Sequence, residues 1–376
     1  MKVLGLIVEY NPFHQGHLYH LNKAKELVNP DITIIIMSSH FVQRGEPAIS
    51  DKWTRAKIAI KNGVDLVIEL PFVYSVQSAD YFAKGAIEIL HKLNVTDIVF
   101  GSESGNIDLF KDIALTIKNN TNDYNTLVKH QLNLGLRYPD ACNKALSILM
   151  NKSITTPNDL LGLAYVKEVI NNNFQINLHC IKRTNDFHSL ELENICSASA
   201  IRHALKNNIA ITNQICNYDE YKEFYFFEDF FPFLRYKLLT ISKDELKHIH
   251  LVDEGIENKL KKVINSSNNL NELILNVKSK RYSYNKIQRM LLHIVCKIKK
   301  EDNNLRLNYI RVLGISSCGN KILKDVKNKI NIPIITKYKK EYDDLFSIDK
   351  KASLIYSMLT NYNVNDDFKS SIKKIK

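Results

Sequence analysis

Short apolar runs alternate with amphipathic segments over the first hundred residues of the chain. The runs predict strands, most of them apolar enough to be buried on both faces of a sheet; they are Val3–Val8, Ile32–Met37, Val64–Leu70 and Asp97–Phe100. The segments between them have the period of helices and are Gly16–Val28, Asp51–Asn62 and Ser78–Leu93. Repeated strand–helix–strand units require right-handed crossovers, so the pattern predicts an α/β fold with a Rossmann-like, doubly wound parallel sheet.

The pattern changes after the fourth predicted strand. It is helical and polar from Ile107 to Met150, a further helix is predicted to begin at Thr156-Pro157, and a fifth strand is predicted at Ile176–Lys182. A helix that starts near Ser197 closes the α/β part, and the remainder is predicted to be mainly helical. The boundary falls around residues 205–230, and we divide the chain into domains 1–205 and 206–376.

Composition narrows the class of protein. The chain has 376 residues, of which 45% are hydrophobic and 24% charged, as in an ordinary folded protein. No apolar stretch approaches the roughly 20 residues of a membrane span, and the N-terminus lacks the pattern of a secretion signal, so we expect a cytoplasmic protein with no membrane partner. The six cysteines are scattered singly, which favours reduced thiols over a disulfide framework or a zinc site, and we predict no protein-held metal cluster.

Charge is distributed unevenly along the chain. Residues 1–230 contain 22 Lys and Arg against 25 Asp and Glu, whereas residues 231–376 contain 30 against 15. The formal net charge of +12 therefore comes from the C-terminal part. Such a surplus favours a polyanionic partner, of which nucleic acid is the commonest in the cytosol. The alternative is that a lysine-rich composition merely keeps helices soluble.

Two histidines follow the first predicted strand. His14 and His17 form an H-x-G-H pattern with Gly16 at the start of the first predicted helix. The free N–H groups and positive dipole end of such a helix attract phosphate oxygens, to which imidazoles can donate further hydrogen bonds. Open α/β sheets bind ligands at this edge, so the motif predicts a nucleoside triphosphate site with chemistry at the α-phosphate.

A second group of small hydroxyl residues lies at the start of the helix near Ser197. Ser197 and Ser199 can contact β- and γ-phosphate oxygens, and Arg202 supplies a positive charge for the departing pyrophosphate. The paired H-x-G-H and S-x-S-x-I-R segments resemble the signatures of the HIGH-motif nucleotidyltransferase superfamily. The second signature differs from that pattern at Cys196 and Ala198.

Longer segments resemble the bacterial tRNA(Met) cytidine acetate ligase family. They are Val8–His17, Phe41–Ala48, Asp65–Phe72, Pro157–Asp159, Lys182-Arg183, Ser197–Arg202 and Tyr309–Gly314. The resemblance implies an ATP-dependent ligase in which acetate attacks the α-phosphorus to give acetyl-adenylate and pyrophosphate. The exocyclic amine of the wobble cytidine of elongator tRNA(Met) then takes the acetyl group, giving N4-acetylcytidine. It also implies that residues 1–205 hold ATP and acetate and that residues 206–376 form a tRNA-binding domain.

The same resemblance suggests which residues form the site. His14, His17 and Arg202 would be catalytic. Contacts with ATP would come from Ile7, Val8, Glu9, Tyr10, Asn11, Pro12, Phe13, His14, Gln15, Gly16, His17, His20, Gly101, Asn158 and Arg183, joined by Ser197 and Ser199. Mg²⁺ is expected with ATP from triphosphate chemistry in general.

Two basic groups are candidates for contacts with acetate or tRNA. Arg44, Lys52 and Arg55 follow the second strand near the expected ligand edge of the sheet. In the C-terminal part, the segment from Lys278 to Lys286 interleaves basic and aromatic residues, with Lys278, Lys280, Arg281 and Tyr282 as candidate contacts to phosphates and unpaired bases. Both groups could instead be solvated charges on helix surfaces.

The residues leave two other functions open. One is a small-molecule adenylyltransferase or acid-activating synthetase of the same superfamily, in which the basic domain serves oligomerisation. The other is a non-catalytic RNA-binding protein. The residues themselves also leave open the tRNA, the acyl chain, the metal requirement and the oligomeric state.

Overall fold

The computed structural model describes residues 1–183, 196–303, 305–327, 329–358, 360–369 and 373–374. A central sheet begins with five strands, which are β1 (Val3–Val8), β2 (Ile32–Ser38), β3 (Leu66–Leu70), β4 (Asp97–Ser102) and β5 (Asn177–Lys182). They are parallel and lie in the order β5-β4-β1-β2-β3. The strand bounds match the predicted ones to within two residues.

The position of β1 decides where a ligand can bind. β1 pairs with β2 on one side and with β4 on the other, so the direction in which the chain crosses the sheet reverses between β1 and β4. Such a switch point opens a crevice beyond the carboxyl ends of the strands. The prediction of a doubly wound α/β fold is confirmed.

Helices cover both faces of this sheet. They are α1 (Gln15–Val28), α2 (Lys52–Lys61), α3 (Phe72–Ser75), α4 (Ala79–Lys92), α5 (Ile107–Asn119), α6 (Thr121–Asn133), α7 (Tyr138–Met150), α8 (Pro157–Asn171) and α9 (Ala198–Lys206). Both ends of α2 carry residues that favour a helix end. The Asp51 side chain accepts hydrogen bonds from the N–H groups of Trp53 and Thr54, and Gly63 follows with a φ of 92° that suits glycine.

Alternate residues of β2 face opposite sides of the sheet. Ile34 and Ile36 pack in one buried cluster with residues of α4 and α8, whereas Ile35 and Met37 pack in another with residues of α1, α2 and α9. Burial of each such side chain contributes about 1.5–3 kcal/mol. The two clusters fix the sheet between its helices and hold the ends of β1 and β4 in place.

The C-terminal part begins with further helices and has a core of its own. The helices are α10 (Phe231–Thr240), α11 (Lys243–Lys247), α12 (Ile256–Val263), α13 (Leu270–Val277) and α14 (Tyr284–Val295). Phe41, Phe72 and Val76 from the first part of the chain belong to the same buried cluster. The division into domains 1–205 and 206–376 stays a prediction.

The end of the chain returns to the sheet. It contains β6 (Ile310–Ile315), α15 (Gly319–Lys327), β7 (Ile334–Ile335), α16 (Ser347–Ser357), α17 (Asp366–Lys369) and β8 (Lys373–Lys374). β6 pairs antiparallel with β3, while β7 and β8 pair parallel with β6. β6 was not predicted from the sequence, because the periodicity of a single buried run does not distinguish a strand from part of a buried helix. None of the helices in the described ranges is both long and apolar enough to span a bilayer.

Candidate functional site

The loop between β1 and α1 lies at the switch point and is held from several sides. The Oδ1 atom of Asn11 accepts a hydrogen bond from the Ile49 N–H at 2.7 Å, and the Tyr221 hydroxyl accepts one from the Phe13 N–H at 3.0 Å. The Cys216 N–H donates to the Phe13 carbonyl at 3.1 Å. Contacts from distant segments therefore fix the backbone that presents the two histidines.

His14 caps α1 with its side chain. Its Nδ1 atom accepts a hydrogen bond from the Gly16 N–H at 3.0 Å, so the neutral ring carries its proton on Nε2. His17 has the opposite arrangement, because its Nδ1 lies 3.1 Å from the Pro12 carbonyl, which can only accept a hydrogen bond. The ring centroids are 3.9 Å apart, and together the rings place one Nε2 donor beside one Nε2 acceptor.

Burial keeps these rings neutral. It lowers the pKa of His14 to about 3, with the positive charges of Arg183 and Arg202 acting in the same direction. Burial also lowers the pKa of His17 well below its usual range, and His14 and His20 lower it further. His20 has a pKa of about 4, lowered by burial and then by Arg183, and its buried Nε2 has no hydrogen-bond partner among the described residues. A bound polyanion would reverse the effect of the arginines on these rings.

The second predicted motif meets the first. Ser197 is the N-cap of α9, where its Oγ accepts a hydrogen bond from the Ala200 N–H at 3.0 Å. One turn later, the Arg202 guanidinium donates to the Asn11 carbonyl at 3.0 Å and to the Ser199 hydroxyl at 3.4 Å. The structure therefore brings Ser199 and Arg202 to the loop that carries His14.

The ends of β4 and β5 form the other side of the crevice. Gly101 is next to last in β4, and a Cβ atom there would meet the Arg183 side chain no closer than 3.6 Å, an ordinary contact. Arg183 follows β5 and donates its N–H to the Ser102 carbonyl at 2.8 Å. Asn158, in the first turn of α8, is hydrogen-bonded to Glu103, the residue after β4. Gly101, Asn158 and Arg183 thus lie near one another at the carboxyl ends of β4 and β5, and their contacts with ATP stay a prediction.

Lys52 and Arg55 need a correction, because both are completely buried and hydrogen-bonded within the protein. The Lys52 ammonium lies 2.8 Å from Glu69 Oε1 and 2.9 Å from Asp367 Oδ1. Arg55 donates to the backbone carbonyls of Ser50, Glu9 and Ser39. In this conformation neither cation can contact acetate or tRNA, and both stabilise the loops behind the site.

Arg44 stays a candidate contact. It is partly exposed in the turn after β2, and its positive charge lowers the pKa of the buried Glu9 carboxyl, although burial itself raises that pKa more. Glu9 also accepts a hydrogen bond from the Gln43 N–H at 2.7 Å. The turn is thereby joined to the loop that precedes His14.

The basic segment of the C-terminal part is only partly available to a ligand. Lys278, Lys280 and Arg281 are exposed, and Lys280 and Arg281 line a surface pocket of about 420 Å³. Tyr282 needs a correction, because its ring is 3% exposed and its hydroxyl donates to the Asp253 carbonyl. Tyr282 is therefore a packing residue and does not offer a face for base stacking.

Two carboxylates at the site are not among the residues predicted from the sequence. Glu46 lies 3.5 Å from the Arg202 guanidinium, and Glu103 accepts hydrogen bonds from the first turn of α8. Acidic residues at an anion site carry no signal in the sequence, because their role there is to hold donors in place.

All six cysteines are free thiols. Within the described residues, no three His, Cys, Asp or Glu side chains come together as a possible metal site.

Comparison with known proteins gives consistent similarities over nearly the whole chain. A family model described as HIGH Nucleotidyl Transferase matches residues 1–371. The tRNA(Met) cytidine acetate ligase of Clostridium novyi (strain NT) is 40% identical over 99% of this chain and 99% of its own length. The protein of the same name from Geobacillus sp. (strain WCH70) is 39% identical over 96% of this chain and 95% of its own length. The one from Bacillus subtilis (strain 168) is 35% identical over 95% of this chain and 92% of its own length.

Two solved structures are similar over their full length. The apo form I crystal structure of Thermotoga maritima TmcAL superposes with a TM-score of 0.90, and form II, bound with alpha-thio ATP, superposes with a TM-score of 0.88. In each case the sequence identity is 32% and the match covers 100% of both chains. One of these neighbours thus binds an analogue of ATP.

Proposed function

Because the chain belongs to the HIGH nucleotidyl transferase family, we propose that it performs the reaction for which its relatives are named, the ATP-dependent ligation of acetate to a cytidine of tRNA(Met). In the first step an acetate oxygen attacks the α-phosphorus of ATP and pyrophosphate leaves. In the second step the exocyclic amine of the wobble cytidine of elongator tRNA(Met) attacks the acetyl carbon and AMP leaves. The product is N4-acetylcytidine.

The observation that carries this proposal is the meeting of His14, His17 and Arg202 at the start of α1. The Nε2–H of His14 can donate to a phosphate oxygen, and the positive dipole end of α1 attracts the phosphate charge. A bound polyanion raises the pKa of His17, and in the charged ring Nε2 becomes a second donor to phosphate. Arg202 supports the charge that develops on pyrophosphate as the bond to the α-phosphorus breaks.

Neither step needs a covalent intermediate on the protein. Acetate and the cytidine amine are themselves the nucleophiles, so the protein contributes orientation and charge neutralisation, each worth several kcal/mol. Mg²⁺ is expected to enter with ATP, where it would neutralise charge on phosphate oxygens.

We place tRNA on the C-terminal part. Its charge surplus and the exposed Lys278, Lys280 and Arg281 support contacts with the phosphate backbone. The turn that carries Arg44 is hydrogen-bonded through Gln43 to Glu9 on one side and to Arg289 of α14 on the other. Arg44 can therefore contact acetate or the tRNA end of the site. A tRNA substrate and six free cysteines support a cytoplasmic location.

The decisive experiment incubates the protein with ATP, labelled acetate and elongator tRNA(Met). We expect acetate-dependent release of pyrophosphate and label in the RNA at the wobble cytidine. Label found only in a small-molecule adenylate would support an acid-activating synthetase instead. No pyrophosphate release with RNA binding intact would support a non-catalytic RNA-binding protein.

A further inference from the structure

Glu103 is bonded to the first turn of α8 through both oxygens of its carboxylate. Oε1 accepts from the Asn158 side-chain Nδ2 at 2.6 Å and from the Asn158 N–H at 3.3 Å, and Oε2 accepts from the Asp159 N–H at 3.0 Å. The carboxylate thus faces three N–H donors. Glu103 follows β4 directly, so this contact lies at the carboxyl end of the strand that borders the crevice.

This contact determines which way the Asn158 amide faces. A carboxylate that accepts hydrogen bonds cannot share a 2.6 Å contact with an amide oxygen, so Nδ2 must point toward Glu103. Oδ1 then points away from Glu103, and no described residue donates a hydrogen bond to it. The edge of the amide that faces away from Glu103 therefore carries the acceptor Oδ1 in a fixed position, while Nδ2 keeps one further N–H.

The opposite side of the α8 turn is equally fixed. Asp159 is 5% exposed, and its Oδ1 accepts from the Ser102 hydroxyl at 2.6 Å and from the Glu103 N–H at 2.9 Å. Glu103 and Asp159 thus bind each other's backbone reciprocally. Neither end of this contact can turn without breaking short hydrogen bonds, so the orientation of Asn158 is set before any nucleotide binds.

We propose that Glu103 is a positioning residue for selection of the base, and this inference rests on the proposed function. Glu103 orients Asn158 so that Asn158 Oδ1 accepts a hydrogen bond from the exocyclic amine of adenine. Adenine carries an amine donor where guanine carries the O6 acceptor. A fixed amide oxygen therefore favours ATP and opposes GTP. Gly101, which has no side chain, lies against Arg183 at the same end of the crevice, where a Cβ atom would be 3.6 Å from the arginine side chain.

Equilibrium binding to the unmodified protein tests the hydrogen bond without any mutation. The ligands are ATP, GTP and purine riboside triphosphate, which lacks only the exocyclic amine. Loss of one hydrogen bond predicts binding of purine riboside triphosphate about 3- to 10-fold weaker than ATP, and two facing acceptors predict a larger loss for GTP. Equal affinity for ATP and purine riboside triphosphate would overturn the proposal.

A substitution tests the role of Glu103. In Glu103→Gln the new amide can donate to Asn158 Oδ1, which frees Nδ2 to face the base, so we expect GTP binding to improve and the ATP-to-GTP preference to fall at least about five-fold. The matched control is Asp108→Asn, an equal charge change at an exposed position at the start of α5. If Glu103→Gln weakens the binding of ATP and the binding of GTP by the same factor, the residue only stabilises α8 and the proposal fails.

A second variant covers the case in which Glu103→Gln does not fold. Asn158→Ala leaves the Glu103 carboxylate in place and should bring ATP and purine riboside triphosphate to equal affinity, whereas an unchanged ratio would contradict the proposal. If Asn158→Ala weakens the binding of ATP but not that of 2′-deoxy-ATP, Asn158 contacts the ribose and the proposal is wrong. These are binding measurements, so absence of ligase activity in the unmodified protein would refute the proposed function separately.

Discussion

The side chain of His14 has two functions that different substitutions can separate. Its Nδ1 accepts the Gly16 N–H and caps α1, while its Nε2–H is free to donate to phosphate. Asparagine is a good N-cap residue, but its side chain is too short to reach a phosphate with a second donor. His14→Asn should therefore keep the cap and lose the phosphate contact, whereas His14→Ala should lose both.

The magnitudes follow from these two hydrogen bonds. Loss of an N-cap costs about 1 kcal/mol of stability, so His14→Ala should be destabilised by that amount relative to His14→Asn. A hydrogen bond to a charged group contributes about 1.5–3 kcal/mol. At about 1.4 kcal/mol per factor of ten, both variants should form acetyl-adenylate roughly 10- to 150-fold less efficiently.

Two assays separate the effects. Urea denaturation measures the free energy of unfolding, and acetate-dependent pyrophosphate release measures kcat/KM for the first step. The reasoning about phosphate is refuted if His14→Asn is as active as the unmodified protein. The reasoning about the cap is refuted if His14→Asn and His14→Ala are equally destabilised.

Three further predictions concern the buried charges, the basic segment and pH. Asp367→Asn removes a carboxylate that Lys52 and Arg311 share in the interior, so the free energy of unfolding in urea should fall by about 3–5 kcal/mol; a loss below about 1 kcal/mol would contradict this role. The double variant Lys280→Glu/Arg281→Glu should weaken tRNA binding, reduce its dependence on salt and spare pyrophosphate release, and unchanged binding at several salt concentrations would place the tRNA elsewhere. The pKa values of His14 and His20 are lowered to about 3 and about 4, so below pH 6.5 the unfolded chain binds more protons than the folded one. Stability should therefore fall from pH 6.5 toward pH 4, by up to about 1.4 kcal/mol per pH unit for each ring, and an equal acid dependence in His14→Asn would contradict this assignment.

The sequence predicts those strands and helices whose local pattern of apolar and cap residues matches their burial in the folded protein. Val3–Val8 is a run of apolar residues buried on both faces, and Asp51 with Gly63 marks both ends of α2, so these elements were predicted within two residues. β6 was missed because its apolar run could equally be part of a buried helix. Its pairing with β3, which lies about 240 residues earlier in the chain, is seen only in the folded structure.

The candidate site residues also divide into those with a local signal in the sequence and those whose position depends on distant residues. H-x-G-H after β1 and Arg202 in α9 were identified as candidates because each residue type suits phosphate at a helix start. Lys52 was misassigned because a lysine at the start of a helix is usually exposed. Its burial depends on Glu69 and on Asp367 near the end of the chain, and that pairing exists only in the folded structure.

The path of one oxygen atom tests the central claim most directly. The protein is incubated with ATP, elongator tRNA(Met) and acetate labelled with ¹⁸O in both positions, and AMP is analysed by mass spectrometry. Attack of acetate on the α-phosphorus followed by transfer of the acetyl group leaves one ¹⁸O in AMP, and this is the predicted result. AMP without ¹⁸O, or release of ADP and phosphate in place of pyrophosphate, would contradict attack at the α-phosphorus in the crevice beside His14 and His17.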